Sequence, residues 1–177
     1  VKEPGKLTRA VVAALVDDIL LVEEAALERA VGFLLDATKI VAEGAGAAAV
    51  AALLAHGERF RGRRVGLVLS GGNIDARLLA SILQRELVRA GRLVRLRIEI
   101  TDIPGALAKI AGIMGQQGGN IVEIYHQRLF QDVPVKHAEV DAVVETRNPR
   151  HVGELVAALS RAGFPTRLLS STAIDGS

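Results

Sequence analysis

No cysteine occurs in the 177 residues, so neither a disulfide framework nor a thiolate metal site is available. The four histidines, His56, His126, His137 and His151, are scattered without ligand spacing, and metal chemistry is not expected. Aromatic residues make up only 3% of the chain. The one dense basic patch, Arg59, Arg61, Arg63 and Arg64, has Phe60 as its lone ring, whereas single-strand nucleic-acid binders present several stacking platforms. A pI near 9.3 invites a polyanion partner, but it comes from arginine in place of lysine within a near balance of 22 basic and 20 acidic residues. Nucleic acid is therefore not expected as a partner. Long apolar runs are also missing: the longest, residues 45–55, is rich in small side chains and far short of the roughly 20 residues that cross a bilayer. The chain is read as soluble, with no membrane partner. Its opening, VKEPGKLT, has no signal-peptide n-region or h-region and no initiator methionine, so it is expected to begin inside a longer reading frame. The default compartment is the cytoplasm.

Half of the residues are hydrophobic, enough for one substantial core or two small ones. The pattern favours two parts, 1–91 and 92–177, divided at Ala90-Gly91-Arg92, where helical spacing gives way to strict alternation. In the first part, residues 15–22 suit an extended piece or short strand, and residues 23–37 predict a helix behind an acidic first turn. VGLVL, residues 65–69, predicts a buried strand running into the turn Ser70-Gly71-Gly72-Asn73. Residues 74–90 then predict a helix with Leu78, Leu79, Ile82 and Leu87 on one side. Strand, glycine turn and helix suit an α/β layer with a parallel sheet, yet one clear strand cannot close such a sheet. The first part reads as an incomplete α/β piece.

The second part is more complete. Val94, Leu96, Ile98 and Ile100 alternate with polar residues, the period of a strand with one wet face. Asp102-Ile103-Pro104-Gly105 turns the chain into a helix lined by Leu107, Ile110, Ala111 and Met114, which Gly118 and Gly119 end. Residues 121–128 and 138–145 predict neighbouring antiparallel strands, separated by a loop containing Asp132 and Pro134. A second helix carries Val152, Leu155, Val156 and Leu159, stops at Gly163, and leads to a last strand over 165–169. The order β-α-β-β-α-β is that of an α+β ferredoxin-like unit, which serves many functions.

Two segments of that unit are candidates for a small-molecule site: Asp102, Pro104, Gly105 and Ala106 after the first strand, and Gly118, Gly119, Asn120 and Ile121 before the second. If they are close in space, helix-start N–H groups suit a carboxylate, and Asp102 or the Asn120 amide suits an ammonium group. Taken from chemistry alone, a purely structural role is favoured: Asp102 as a cap, and Gly118, Gly119 and Asn120 as left-handed turn residues. Likewise Gly71, Gly72 and Asn73 are explained by a tight turn, and residues 44–49 by a helix whose small side chains permit close packing.

DIPGALAKIAGIMGQQGGNI resembles the D-x-PG-x-L…GxNI signature of ACT domains, the regulatory modules of amino-acid metabolism. IVEIYHQR, VPVKHAEVDAVVETR and HVGELVAALSRAGF resemble the single-ACT threonine dehydratases. VKEPGKLT, AEGAGAAAVAALL and VGLVLSGGNID are similar to segments near the end of the catalytic domain of fold-type II pyridoxal-phosphate ammonia-lyases. The resemblance implies an α/β remnant of that catalytic domain over 1–91 and an ACT domain over 92–177. It implies an amino-acid effector, isoleucine or valine by analogy, held by Asp102, Pro104, Gly105, Ala106, Asn120 and Ile121, in a homo-oligomer formed through the ACT domain. It further implies that Ser70, with Gly71, Gly72 and Asn73, adjoins pyridoxal phosphate, the serine hydroxyl meeting the pyridine nitrogen. Glu43 is implied to lie nearby.

The chain departs from that family in one respect. A Schiff-base lysine and a phosphate-binding loop are required for the chemistry, and Lys2, Lys6, Lys39, Lys109 and Lys136 do not stand in a serine-x-lysine context after a strand. No catalytic residue is assigned, and the chain alone is expected to hold no cofactor and to be inactive. Two readings remain: part of a threonine or serine dehydratase whose catalytic portion lies elsewhere, or a stand-alone amino-acid-binding module.

Overall fold

The computed structural model describes residues 5–127 and 137–169. The loop expected around Asp132 and Pro134, Arg128 at the end of the second expected strand of the second part, Lys2 and Lys136 lie outside the described residues. The chain forms two compact units, Val1–Ile82 and Leu83–Ser177.

The first unit contains helices α1 (Lys6–Leu15), α2 (Glu24–Thr38), α3 (Ala48–Ala55) and α4 (Gly57–Phe60), and the start of α5 (Ala76–Arg89). Its core is built from small side chains: Ala26, Ala30, Val31, Leu34, Ala42, Ala47, Val50, Ala51 and Ile82 are buried. Alanines allow α2 and α3 to approach closely but supply little apolar area per residue. Asp75 opens α5 by accepting from the Arg77 and Leu78 amides, each at 3.0 Å, as an N-cap does. Ile74 and Leu79 pack with this first core. The last turn of α5 is instead bonded to the turn before the next strand, Arg92 N–H donating to the Leu87 carbonyl at 2.8 Å. The units therefore divide within α5, ahead of Gly91.

Two features of this unit differ from the sequence expectation. Helix α1 was not expected, and it has no buried residue. Residues 65–69 form no strand: they are exposed coil, with Val68 79% accessible. A strand needs a neighbour for its N–H and C=O groups, and no described segment pairs with this run, so a composition suited to a buried strand is left without a sheet.

The second unit matches its expected order. Strands β1 (Leu93–Thr101), β2 (Asn120–Gln127), β3 (His137–Glu145) and β4 (Thr166–Leu169) alternate with helices α6 (Ala106–Gln116) and α7 (Pro149–Arg161). The strands form one antiparallel sheet in the order β2-β3-β1-β4, the ferredoxin-like arrangement. Leu96, Ile98, Val140, Ala142 and Val144 from the sheet and Ile110, Met114, Leu155 and Leu159 from the helices are fully buried. Each such large side chain contributes about 1.5–3 kcal/mol. Because strand side chains alternate, Arg95, Arg97, Glu139 and Asp141 occupy the opposite face of the sheet.

Asn148 caps α7, accepting from the His151 amide at 3.0 Å, and Pro149 occupies its first turn. The His151 ring joins the two helices: Nε2 donates to the Gln117 carbonyl at 2.8 Å, while Nδ1 accepts the Arg147 amide at 3.1 Å. Among the described residues, no helix is long and apolar enough to cross a membrane.

Candidate functional site

In the first unit the backbone brings the two expected segments together. The Glu43 amide donates to the Gly71 carbonyl at 3.1 Å. A Cβ on Gly46 would overlap the Ser70 carbonyl oxygen and stand 2.5 Å from that of Gly71, and one on Gly72 would stand 3.0 Å from the Val41 carbonyl. Gly71 has φ +72°, and a Cβ there would meet the Glu43 carboxylate. Residues 41–46 and the SGGN turn are thus fitted to each other through glycine. Ser70 and Asn73 are exposed, and Glu43 is half-buried.

This cradle fits pyridoxal phosphate only in part. Ser70 and Glu43 are polar side chains on the two segments that the glycines bring together. Among the described lysines of the first unit, Lys39 Nζ donates to the Asp36 carbonyl at 2.8 Å and Lys6 lies on α1. Among the described residues no group of three or more His, Cys, Asp or Glu is arranged to hold a metal.

In the second unit the two expected segments do not meet. β1 ends at Thr101 opposite His137, whereas β2 starts at Asn120 opposite Glu145, at the other end of β3. The separation along β3 is about 26 Å at about 3.3 Å per residue. Helix α6 is the cause: it carries the chain back across the sheet, so β2 begins beside the start of β1. Asp102, Pro104 and Gly105 form an exposed turn at one end, with Gly105 at φ +86° preceding the buried Ala106. At the opposite end the Asn120 amide donates to Glu145 at 2.7 Å, and Ile121 packs against the core. A single pocket built from both segments of one chain is ruled out by this register.

A third cluster, not anticipated from sequence, lies on the sheet face away from the core. Asp141 is 7% exposed and accepts from Arg97 Nε at 2.7 Å, Arg97 Nη2 at 2.9 Å and Arg95 Nη2 at 2.7 Å. Arg97 also meets Glu139 at 3.2 Å, and Arg167 reaches the same Glu139 at 3.6 Å. The Arg95 guanidinium lies 5.8 Å from the Tyr125 ring centre, and the Tyr125 hydroxyl donates to Glu123 at 2.5 Å. Arg97, with Arg95 adding, holds the Asp141 carboxyl below the usual carboxylate range, against the opposing effect of burial. The Arg97 guanidinium is raised in turn, chiefly by its hydrogen bond to Asp141. Donation to Glu123 pushes the Tyr125 phenol up. Only cross-strand register assembles this group. The one sequence signal was the run of charged residues at alternate positions in β1 and β3.

A helical unit with a glycine-fitted cradle, followed by a ferredoxin-like α+β unit, defines the class of chain. No protein-family model matches it. L-threonine ammonia-lyase of Thermotoga maritima is 38% identical over 169 residues, 96% of this chain and 42% of that enzyme. The Geobacter sulfurreducens L-threonine ammonia-lyase is 39% identical over 164 residues, 93% of this chain and 41% of the enzyme. The catabolic L-threonine dehydratase of Escherichia coli is 42% identical over 84 residues, 46% of this chain and 26% of the enzyme. The chain is similar, along nearly all its length, to the C-terminal part of the L-threonine ammonia-lyases, and it spans about two fifths of the length of the first two. Among solved structures, the ACT domain from GTP pyrophosphokinase of Chlorobium tepidum aligns over 44% of this chain and 96% of that domain, at 20% identity and TM-score 0.36. At that score the alignment adds nothing to the strand order read directly from the chain.

Proposed function

We propose that this chain is the C-terminal, regulatory part of a pyridoxal-phosphate threonine ammonia-lyase, an enzyme that deaminates threonine or serine to a 2-oxo acid and ammonia. The observation that carries this reading is similarity at 38–39% identity over 93–96% of the chain, across both units. Residues 92–177 act as an ACT domain that binds an amino-acid effector, isoleucine or valine by analogy, and residues 1–91 are the tail of the catalytic domain. Ser70, Gly71, Gly72, Asn73 and Glu43 line the cofactor in the complete enzyme, which supplies the electron-sink chemistry when bound. The lysine and phosphate loop come from the portion of the relatives that this chain does not span.

The surface of the first unit supports this. Leu7, Leu15, Leu21 and Val68 are 86%, 78%, 86% and 79% exposed, apolar side chains that the rest of a larger enzyme would cover. The effector domain works as a homo-oligomer. That arrangement gives Asp102–Ala106 of one copy and Asn120–Ile121 of another the means to meet, which register forbids within one chain.

The test is a chimera joining the N-terminal part of the Thermotoga maritima enzyme to this chain. The expected result is deamination of threonine or serine, with a rate that isoleucine or valine changes. A folded chimera that deaminates neither amino acid overturns the proposal.

A further inference from the structure

We propose that the corner between β3 and α7 is a joint that ties the end of α6 to the end of α5, so that a displacement of α6 is passed to the helix that follows the SGGN turn. What displaces α6 rests on the effector reading above, whereas the joint itself stands on hydrogen bonds within the second unit.

Helix α5 ends in a closed left-handed turn. The Gly91 amide donates to the Val88 carbonyl at 3.0 Å and the Arg92 amide to that of Leu87 at 2.8 Å, with Gly91 at φ +62°. The two carbonyls that leave this turn are both taken by Thr146: its hydroxyl donates to Gly91, and its amide donates to Arg92 at 2.9 Å. A Cβ on Gly91 would stand 2.9 Å from Pro149 Cγ and 3.2 Å from Pro149 N, so the first turn of α7 closes over the same glycine. Chain that joins two units is usually exposed and polar. Here it is fastened to the corner as soon as it leaves α5.

On the other side of the corner, the buried ring of His151 holds α6. Nε2 donates to the carbonyl of Gln117, which closes that helix, at 2.8 Å, and Nδ1 accepts the Arg147 amide at 3.1 Å. Thr146 and Arg147 are adjacent, so a single peptide unit separates the bonds that hold α5 from the bond that leads to α6. Thr146 and His151 are both buried, and a buried polar group left without its partner is costly. The ends of the two helices therefore move together in preference to parting. Helix α6 starts at the Asp102–Gly105 turn. Helix α5 contains neither glycine nor proline and is capped by Asp75, directly after Asn73 and Ile74. One continuous path of helix, corner and helix thus runs from the first turn to the second.

The test is amide hydrogen exchange of the whole chain, resolved by residue, in His151→Gln, Thr146→Val, the double variant and Thr146→Ser. The hydrogen bonds of His151 go to Arg147, Asn148 and Gln117, none of them in α5. His151→Gln is nevertheless expected to speed exchange at Ala90, Gly91 and Arg92 by about tenfold or more beyond any change at Leu96 and Val140 in the sheet. Thr146→Val keeps the side-chain shape and loses only the hydroxyl. It should speed exchange at the opposite end, at Gln117, Gly118 and Gly119, and Thr146→Ser should restore the wild-type rate there. The double variant should add less at either end than the two single changes summed. A rise in His151→Gln confined to Arg147 and the end of α6, or spread evenly over the sheet, overturns the joint, as does wild-type exchange at Gln117–Gly119 in Thr146→Val. If His151→Gln does not fold, Thr146→Val and Thr146→Ser decide alone. No amino acid enters the measurement, so the joint can fail while effector binding stands, and the reverse.

Discussion

Arg97 and Asp141, 44 positions apart in sequence, face each other across β1 and β3 and share two hydrogen bonds of 2.7 and 2.9 Å. Arg95 adds a third at 2.7 Å, so one carboxylate pins two guanidinium groups on a face that α6 and α7 leave open. A carboxylate this enclosed is stabilising only while it is ionised and its partners remain.

Asp141→Asn is expected to destabilise the chain by about 2 kcal/mol at neutral pH, the scale of losing hydrogen bonds to charged groups. The pH dependence has a definite sign. Its two arginine partners depress the folded-state pKa of Asp141, and the unfolded chain binds that proton near 3.9, by about the ordinary aspartate value. The stabilisation is therefore complete above the unfolded value and is lost as pH falls through the lower folded one. Urea unfolding from pH 7 to pH 3 should show a weaker acid dependence for Asp141→Asn than for wild type.

His151 joins α6 to α7 through both ring nitrogens and is 2% exposed. His151→Ala removes two hydrogen bonds and leaves a cavity, for an expected loss of about 2–4 kcal/mol by urea unfolding of the second unit. Arg150→Ala, one residue away on a side chain 89% exposed, should change stability by less than about 0.5 kcal/mol.

The glycine cradle is tested by a pair of alanines. Gly46→Ala drives a Cβ into the Ser70 carbonyl, where only main-chain movement gives relief, whereas a Cβ on Gly44 meets nothing within 4 Å. Gly46→Ala should lower the stability of the first unit by about 1–3 kcal/mol, the usual cost of overpacking, and Gly44→Ala should not. Equal effects would contradict the packing of residues 41–46 on the SGGN turn.

Val68 distinguishes an exposed surface from a covered one. At 79% exposure, Val68→Lys should shift the stability of this chain by less than about 0.5 kcal/mol. In the chimera with the Thermotoga maritima N-terminal part, the same change should reduce the yield of active enzyme, because the lysine is then enclosed.

The second unit was legible because its signals are local. Val94, Leu96, Ile98 and Ile100 alternate strictly, and their positions alone set which face of β1 is buried. Residues 65–69 were misread because a buried strand and an exposed apolar run share one composition, and only a hydrogen-bonding neighbour tells them apart. Helix α1 places Leu7, Val11 and Leu15 at helical spacing, but the stripe is short and all three side chains are exposed, so it was passed over. Glu43 and the SGGN turn were linked only through the resemblance, and the backbone of the first unit brings the two segments together. Asp102 and Asn120 were placed together, and α6 separates them. Arg95, Arg97, Glu123 and Asp141 carried no motif, since their association depends on a three-strand register that no short window contains.

The most direct test of the regulatory reading is thermal unfolding of this polypeptide with and without single amino acids. A ligand at 100 times its Kd adds about 2.7 kcal/mol to the stability of the state that binds it. A rise in Tm with isoleucine, valine or threonine, absent with amino acids of other side chains, is the predicted result. An unchanged Tm across the whole panel would contradict the assignment of an amino-acid sensor to this chain.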